Sequence, residues 1–339
     1  MKLKKIIAAG VLVLAIVTAA LTVRHFHRAE EQQPEYVLSY AENQAEDYPT
    51  TLGAKRFAEL VEARTGGRIR IVVSAQGLLG TEKDVIQQMQ FGGIDFARVS
   101  LSQLAEYIPE LNVLQMPYLY TGSDHMWRVL DGRIGDEFLA EIDAYDLEGL
   151  SWYDAGARNF YSATKPITCL EDVAGMRIRV QESELMADLV EALGATAVPI
   201  SYENVYSALE KGTVDGAENN WPSYESTQHY EVAKYYTIDE HTRVPEVQIC
   251  SQMTWSKISE ADRDIIRKCA EDSALYEREL WIKREENSKK VALANGVEIE
   301  ELSVKEKQKF QDAMMGVYEK YCGDDMDIID EIIAEGRTE

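Results

Sequence analysis

Positive charge is what this sequence has least of. Its 339 residues carry 35 Lys and Arg against 59 Asp and Glu, a formal net charge of −24. No basic stripe exists to neutralise phosphates, which excludes a nucleic-acid partner. Such acidity favours a soluble monomer or small oligomer and leaves the sign of a local ligand site open. Cysteine is scarce: Cys169, Cys250, Cys269 and Cys322 are scattered, without C-x-x-C or metal-like spacing, so one or two disulfides or buried free thiols are the open readings. Five histidines show no H-E-x-x-H pattern, so no metal is expected. A G-x-G-x-x-G or Walker loop is missing as well, which removes nucleotide binding, and no cofactor is expected. Asp215 and Glu218, the one tempting carboxylate pair, fall on opposite faces of a strand, so no catalytic residue is assigned.

What is present is a globular composition, 45% hydrophobic and 28% charged, long enough for two domains of ordinary size. Residues 1–28 stand apart. Lys2, Lys4 and Lys5 precede an apolar or small-residue run over 6–23, the pattern of a secretory signal or, if uncleaved, a membrane anchor. Either reading exports the remainder.

From residue 36 the hydrophobic period alternates between two and 3.6. Strands are expected at 36–41, 68–74 and 94–99, separated by helices at 49–64 and 82–90. The first helix ends at Gly66-Gly67 and the second opens with a cap at Thr81. Further helices around 124–130 and 134–145 lead to a strand at 147–153, then a loop over 154–167 that holds Arg158. A second β-α-β series runs from Met176 to Glu218. Residues 244–255 read as extended and returning to the first half. Residues 259–295 contain no proline and read as a helix or helix pair too long for one compact lobe. Ser303 to Glu306 caps a helix running to 321, and 328–335 make a last one. The alternation implies mostly parallel sheets with helices on both faces.

Within the second series, Gly175-Met176-Arg177-Ile178-Arg179-Val180 is a short strand with two arginines opposite its apolar face. A buried guanidinium is costly unless an anion meets it, and its planar fork matches a carboxylate. Arg179 lies nearer the carboxyl end of the strand, where ligands collect in open α/β sheets. An internal ion pair is the competing reading.

Taken in order, several segments resemble the solute-binding proteins of TRAP transporters, the DctP-like family. They are Leu79-Gly80, Gly93-Ile94-Asp95-Phe96, Pro117-Tyr118-Leu119, the Arg177/Arg179 strand, Tyr206-Ser207-Ala208-Leu209, and Gly212 through Asn219. The resemblance covers nearly all of 36–339. It implies a two-lobed, periplasmic-binding-protein-like α/β fold with a ligand cleft between the lobes and a long helix spanning both. One lobe is expected from 36–155 with 246–285, the other from 156–245 with 286–339. The resemblance further implies that Arg179 clamps a ligand carboxylate, with Arg158 and Asn219 as further contacts, and that small and large TRAP membrane subunits receive the ligand.

Gly216 through Tyr224, His229-Tyr230-Glu231 and Asp239-Glu240-His241-Thr242 look like the subgroup that binds sugar acids such as glucuronate or galacturonate. Sugar hydroxyls suit Glu82, Asn43, Asn219 and Asn220, and the apolar ring face suits an aromatic such as Trp221 or Tyr224. Keto acids or dicarboxylates are the alternative ligands within the family. An exported uronate-processing enzyme and a ligand sensor are the alternatives of other classes.

Overall fold

The structure, a computed structural model, describes residues 33–323 and 326–337. The leader segment therefore lies outside the described residues; among those described, no helix is long and apolar enough to cross a membrane. Eleven strands are formed by the described residues: β1 (Tyr36–Ala41), β2 (Ile69–Ser74), β3 (Phe96–Ser100), β4 (Leu147–Tyr153), β5 (Arg158–Ser162), β6 (Arg177–Val180), β7 (Thr196–Pro199), β8 (Gly216–Asn219), β9 (Tyr235–Thr242), β10 (Glu246–Ser251) and β11 (Glu298–Glu301). They form two sheets, one ordered β2-β1-β3-β10-β4 and one ordered β11-β9-β5-β8-β6-β7. Each sheet is the centre of an α/β lobe.

Each sheet mixes directions. β1 runs parallel to β2 and β3, while β10 is antiparallel to both β3 and β4. In the second sheet β6 is parallel to β7 and β8, whereas β5 is antiparallel to β8 and β9. Expecting mostly parallel sheets misses these strands, because β5 and β10 directly follow connections that cross between lobes. Arg158 is likewise not on a loop: it opens β5, whose five residues are all buried. With both faces covered, that strand shows no polar and apolar alternation to mark it.

Helix α1 (Pro49–Arg64) starts with proline in its first turn, where no N–H is needed. It turns Phe57 and Val61 inward, and Gly66 and Gly67, at φ of 65° and 82°, reverse the chain after it. Helix α2 (Glu82–Gln90) has the expected capping box, with Thr81 and Asp84 exchanging side-chain and backbone hydrogen bonds. Helices α3 (Glu184–Ala192) and α4 (Trp221–Ser226) belong to the second lobe. The stretch after Ser259 is one continuous helix, α5 (Glu260–Ala294), of 35 residues. At 1.5 Å per residue it is about 50 Å long. It packs on α1 and β4 on one side and on α4 on the other. The helix expected to run to 321 is broken at Met315 into Val304–Met314 and Gly316–Cys322. The last helix, Met326–Glu335, lies against Ser123–Leu130, where the His125 ring meets the Ile332 carbonyl at 2.6 Å. No disulfide joins the cysteines among the described residues.

Candidate functional site

A cleft opens where the carboxyl ends of β3 and β6 face each other, with about 590 Å³ of empty space that includes its open mouth. The first lobe contributes Asn43, Tyr48, Glu82 and Arg98, and the second contributes Arg158, Arg179, Tyr202, Asn219 and Asn220. Glu246, on the strand that returns to the first sheet, and Trp281, on α5, complete the wall used below. The lobes touch around it. Gln181 Nε2 donates to Ser100 Oγ at 3.0 Å, and Tyr202 Oη donates to Gln44 Oε1 at 2.8 Å. Tyr48 Oη lies 2.8 Å from Ser223 Oγ.

Three buried arginines line this cleft, and they differ in what holds them. Arg98 meets Glu42, Glu82 at 3.1 Å and Glu246 at 2.7 Å, and Asn43 Oδ1 accepts a further bond from it. Arg158 meets Glu218 through Nε and Nη2, the latter at 2.8 Å, and Nη2 also donates to the Glu218 carbonyl at 3.0 Å. Arg179 has no ion pair among the described residues. Its Nε donates to the Ile200 carbonyl at 2.8 Å, and its buried Nη1 has no hydrogen-bond partner among the described residues. Only 1% of Arg179 is exposed. Burial pulls its guanidinium below the ordinary value, against the attraction of Glu218. A buried donor left open in a cleft is a costly arrangement that a ligand acceptor would relieve.

Arg177, one pleat away, takes the internal route. It is exposed and pairs with Asp215 at 2.6 Å. The two arginines share one face of β6, and position along the strand separates them: Arg177 sits at its exposed start, Arg179 toward its buried carboxyl end at the cleft.

Behind Arg158 lies a buried chain of charge. His241 stands 2.8 Å from Asp239 and 3.5 Å from Glu218. Burial opposes ionisation of Glu218, but Arg158 and His241 outweigh it and hold the carboxyl down at about 2. Burial likewise opposes the charged His241, but Asp239 and Glu218 lift it to about 9. On the opposite wall, burial and the nearby Glu246 push Glu82 up to about 8.

The other expected residues divide. Asn219 ends β8 at the cleft, and its Oδ1 accepts from the Asn220 N–H at 2.9 Å. Asn220 also lines the cleft while capping α4, its Oδ1 accepting from the Ser223 N–H at 2.8 Å. Glu82 reaches back to the Ser100 N–H at 2.9 Å. Trp221 is a correction. It is 6% exposed and is absent from the cleft wall, stacked on Tyr236 at 3.6 Å within the second lobe's core. Tyr224 is buried there too, its hydroxyl on the Ala233 carbonyl at 2.6 Å. Both sit on α4, which turns its apolar side to the sheet. The aromatic surfaces at the cleft are Tyr48, Tyr202 and Trp281. The Trp281 Nε1 is buried without a hydrogen-bond partner among the described residues. Arg98, Glu246 and Trp281 went unnoticed in the sequence. The signal for Arg98 was a lone charge inside the strand Phe96-Ala97-Arg98-Val99, and for Trp281 a lone tryptophan on a polar helix.

Two α/β lobes meeting at a polar cleft, with one uncommitted guanidinium among the described residues, suit a solute-binding protein. The profile of bacterial extracellular solute-binding proteins, family 7 (DctP), matches residues 40–324, and the chain belongs to this family of TRAP solute-binding proteins. A solute-binding protein of Chromohalobacter salexigens is 38% identical over 274 residues, 81% of each chain. A TRAP periplasmic solute binding protein from Bradyrhizobium sp. BTAi1, solved in complex with α/β-D-galacturonate, is 40% identical. It superposes with a TM-score of 0.85 over 89% of this chain and 99% of that one. The Pseudomonas putida F1 protein with bound D-glucuronate is 35% identical, with a TM-score of 0.85 over 87% of this chain and 96% of its own.

Proposed function

We propose that this protein captures a uronate, of the glucuronate or galacturonate kind, and hands it to the small and large membrane subunits of a TRAP transporter. The observation that carries the reading is Arg179: a buried guanidinium in the cleft with an open donor and no carboxylate of its own. The ligand carboxylate takes that place in a charge-assisted bond. Arg158, steadied by Glu218, adds a second guanidinium to the same wall. Asn219, Asn220, Asn43 and Glu82 offer amides and a carboxyl to the hydroxyls. Tyr202 and Trp281 give the ring an apolar face with polar edges. The galacturonate- and glucuronate-bound neighbours support the same ligand class.

The lobe division we propose follows the sheets, with 36–155 and 246–285 on one side and 156–245 and 286–339 on the other, the last helix reaching across to pack on Ser123–Leu130 of the first. The cross-cleft bonds of Gln181 and Tyr202 then mark the closed arrangement that docks on the membrane subunits. Residues 1–28 supply export to the periplasm, as a signal or a retained anchor. A thermal-shift screen tests the ligand class. Glucuronate or galacturonate raises Tm by mass action, and neutral glucose raises it far less. Equal shifts for the acid and neutral sugars would remove the carboxylate from the account.

A further inference from the structure

We propose that Glu82 and Glu246 set selectivity by turning away a second carboxylate, so that the cleft takes monoanionic sugar acids and rejects their dicarboxylic analogues. The proposal rests on the reading that a ligand carboxylate occupies Arg179.

A ligand anchored at Arg179, on the second sheet, extends its far end toward the wall built by the first. There one guanidinium, Arg98, faces three carboxyl groups: Glu42, Glu82 at 3.1 Å and Glu246 at 2.7 Å. The Arg98 and Glu42 side chains are almost fully buried, and those of Glu82 and Glu246 are each 12% exposed. Even with a proton on Glu82 near neutral pH, Glu42 and Glu246 outnumber the single guanidinium before any ligand arrives. Burial does most to raise Glu82, and the nearby Glu246 adds to it; that second part of the shift is the same excess seen from inside the protein. Among the described residues at this end, the one cation, Arg98, is taken by these acids, while Arg158 stands near Arg179 at the other end. A second ligand carboxylate therefore meets like charge or must bind with an added proton, whereas a hydroxyl or hydroxymethyl group finds acceptors. Building repulsion against a near relative is how a site separates ligands that share their best contact.

The test uses two open-chain acids that differ only at one end, galactonate (one carboxylate) and galactarate (two). Their affinities are measured by calorimetry on the full mature protein, alongside galacturonate. The wild type is expected to favour galactonate. In Glu82→Gln/Glu246→Gln, where Arg98 keeps Glu42, the ratio of the two affinities moves toward galactarate by about ten-fold or more. Glu246→Gln alone moves it the same way by less, and Glu246→Asp, which keeps the charge, leaves the ratio near wild type. The proposal is overturned if a double variant that still binds galacturonate keeps the wild-type ratio, or shows no galactarate binding up to about 10 mM. Equal binding of both acids by the wild type also overturns it. Loss of galacturonate binding by the wild type itself would instead strike the reading of Arg179.

Discussion

Replacing Glu218 with glutamine keeps the shape of the side chain and removes a charge on which two others depend. Glu218 is wholly buried, holds Arg158 through two nitrogens and lies 3.5 Å from His241. The variant leaves Arg158 buried without its carboxylate, a change that typically costs about 3–5 kcal/mol. The proton linkage gives a comparable size. A fall of the carboxyl from its ordinary 4.5 to about 2 corresponds to roughly 3 kcal/mol of stability at neutral pH. The sign follows from the downward shift: the contribution is complete above pH 4.5 and fades as pH falls toward about 2. Urea denaturation of wild type and Glu218→Gln, run from pH 7 down to pH 3.5, measures both features. A large gap at pH 7 that narrows in acid is expected. A gap below about 1 kcal/mol at pH 7, or one that does not change with pH, would refute the reasoning.

Three further outcomes are expected. His241→Asn flattens the alkaline side of the stability curve: the raised histidine contributes fully below pH 6.5, and its share is lost as pH rises through about 9. Denaturation midpoints between pH 6 and 10 read this directly, and an unchanged slope contradicts it. Trp221→Ala lowers folding stability by about 3–5 kcal/mol, as removal of a stacked core ring should, yet leaves uronate affinity in the folded variant within about three-fold; a selective loss of affinity would return Trp221 to the site. Tyr202→Phe removes the bond to Gln44 across the cleft and weakens uronate binding by about 3–10-fold, the worth of one hydrogen bond, mainly through faster release. Stopped-flow dissociation checks it, and an unaltered release rate counts against closure through this contact.

How far the fold could be read in advance followed from where its signals are local. The capping box at Thr81, the glycine stops after α1 and the unbroken polar helix α5 depend on neighbours in sequence, and each is where the pattern puts it. Strand β5 has no such signal. All its residues are buried, so the contrast that marks a strand is gone, and its direction is set by the crossing between lobes. In the cleft, position along β6 pointed to Arg179 over Arg177, because Arg179 lies nearer the carboxyl end of the strand; it is buried there, while Arg177 at the start is exposed. Arg98 was hidden for the converse reason. Its partners Glu42, Glu82 and Glu246 come from positions up to 148 residues away, and only the folded sheet brings them together. Trp221 shows the limit of residue chemistry: an indole beside two asparagines suited a sugar ring, but the first turn of α4 directs it to the core.

The most direct measurement is calorimetric titration of galacturonate or glucuronate into wild type and Arg179→Met, with circular dichroism confirming that the variant is folded. Loss of the buried charged contact is worth about 2–5 kcal/mol, so affinity should fall by about 30-fold or more. A folded Arg179→Met that binds the uronate as tightly as wild type would contradict the account.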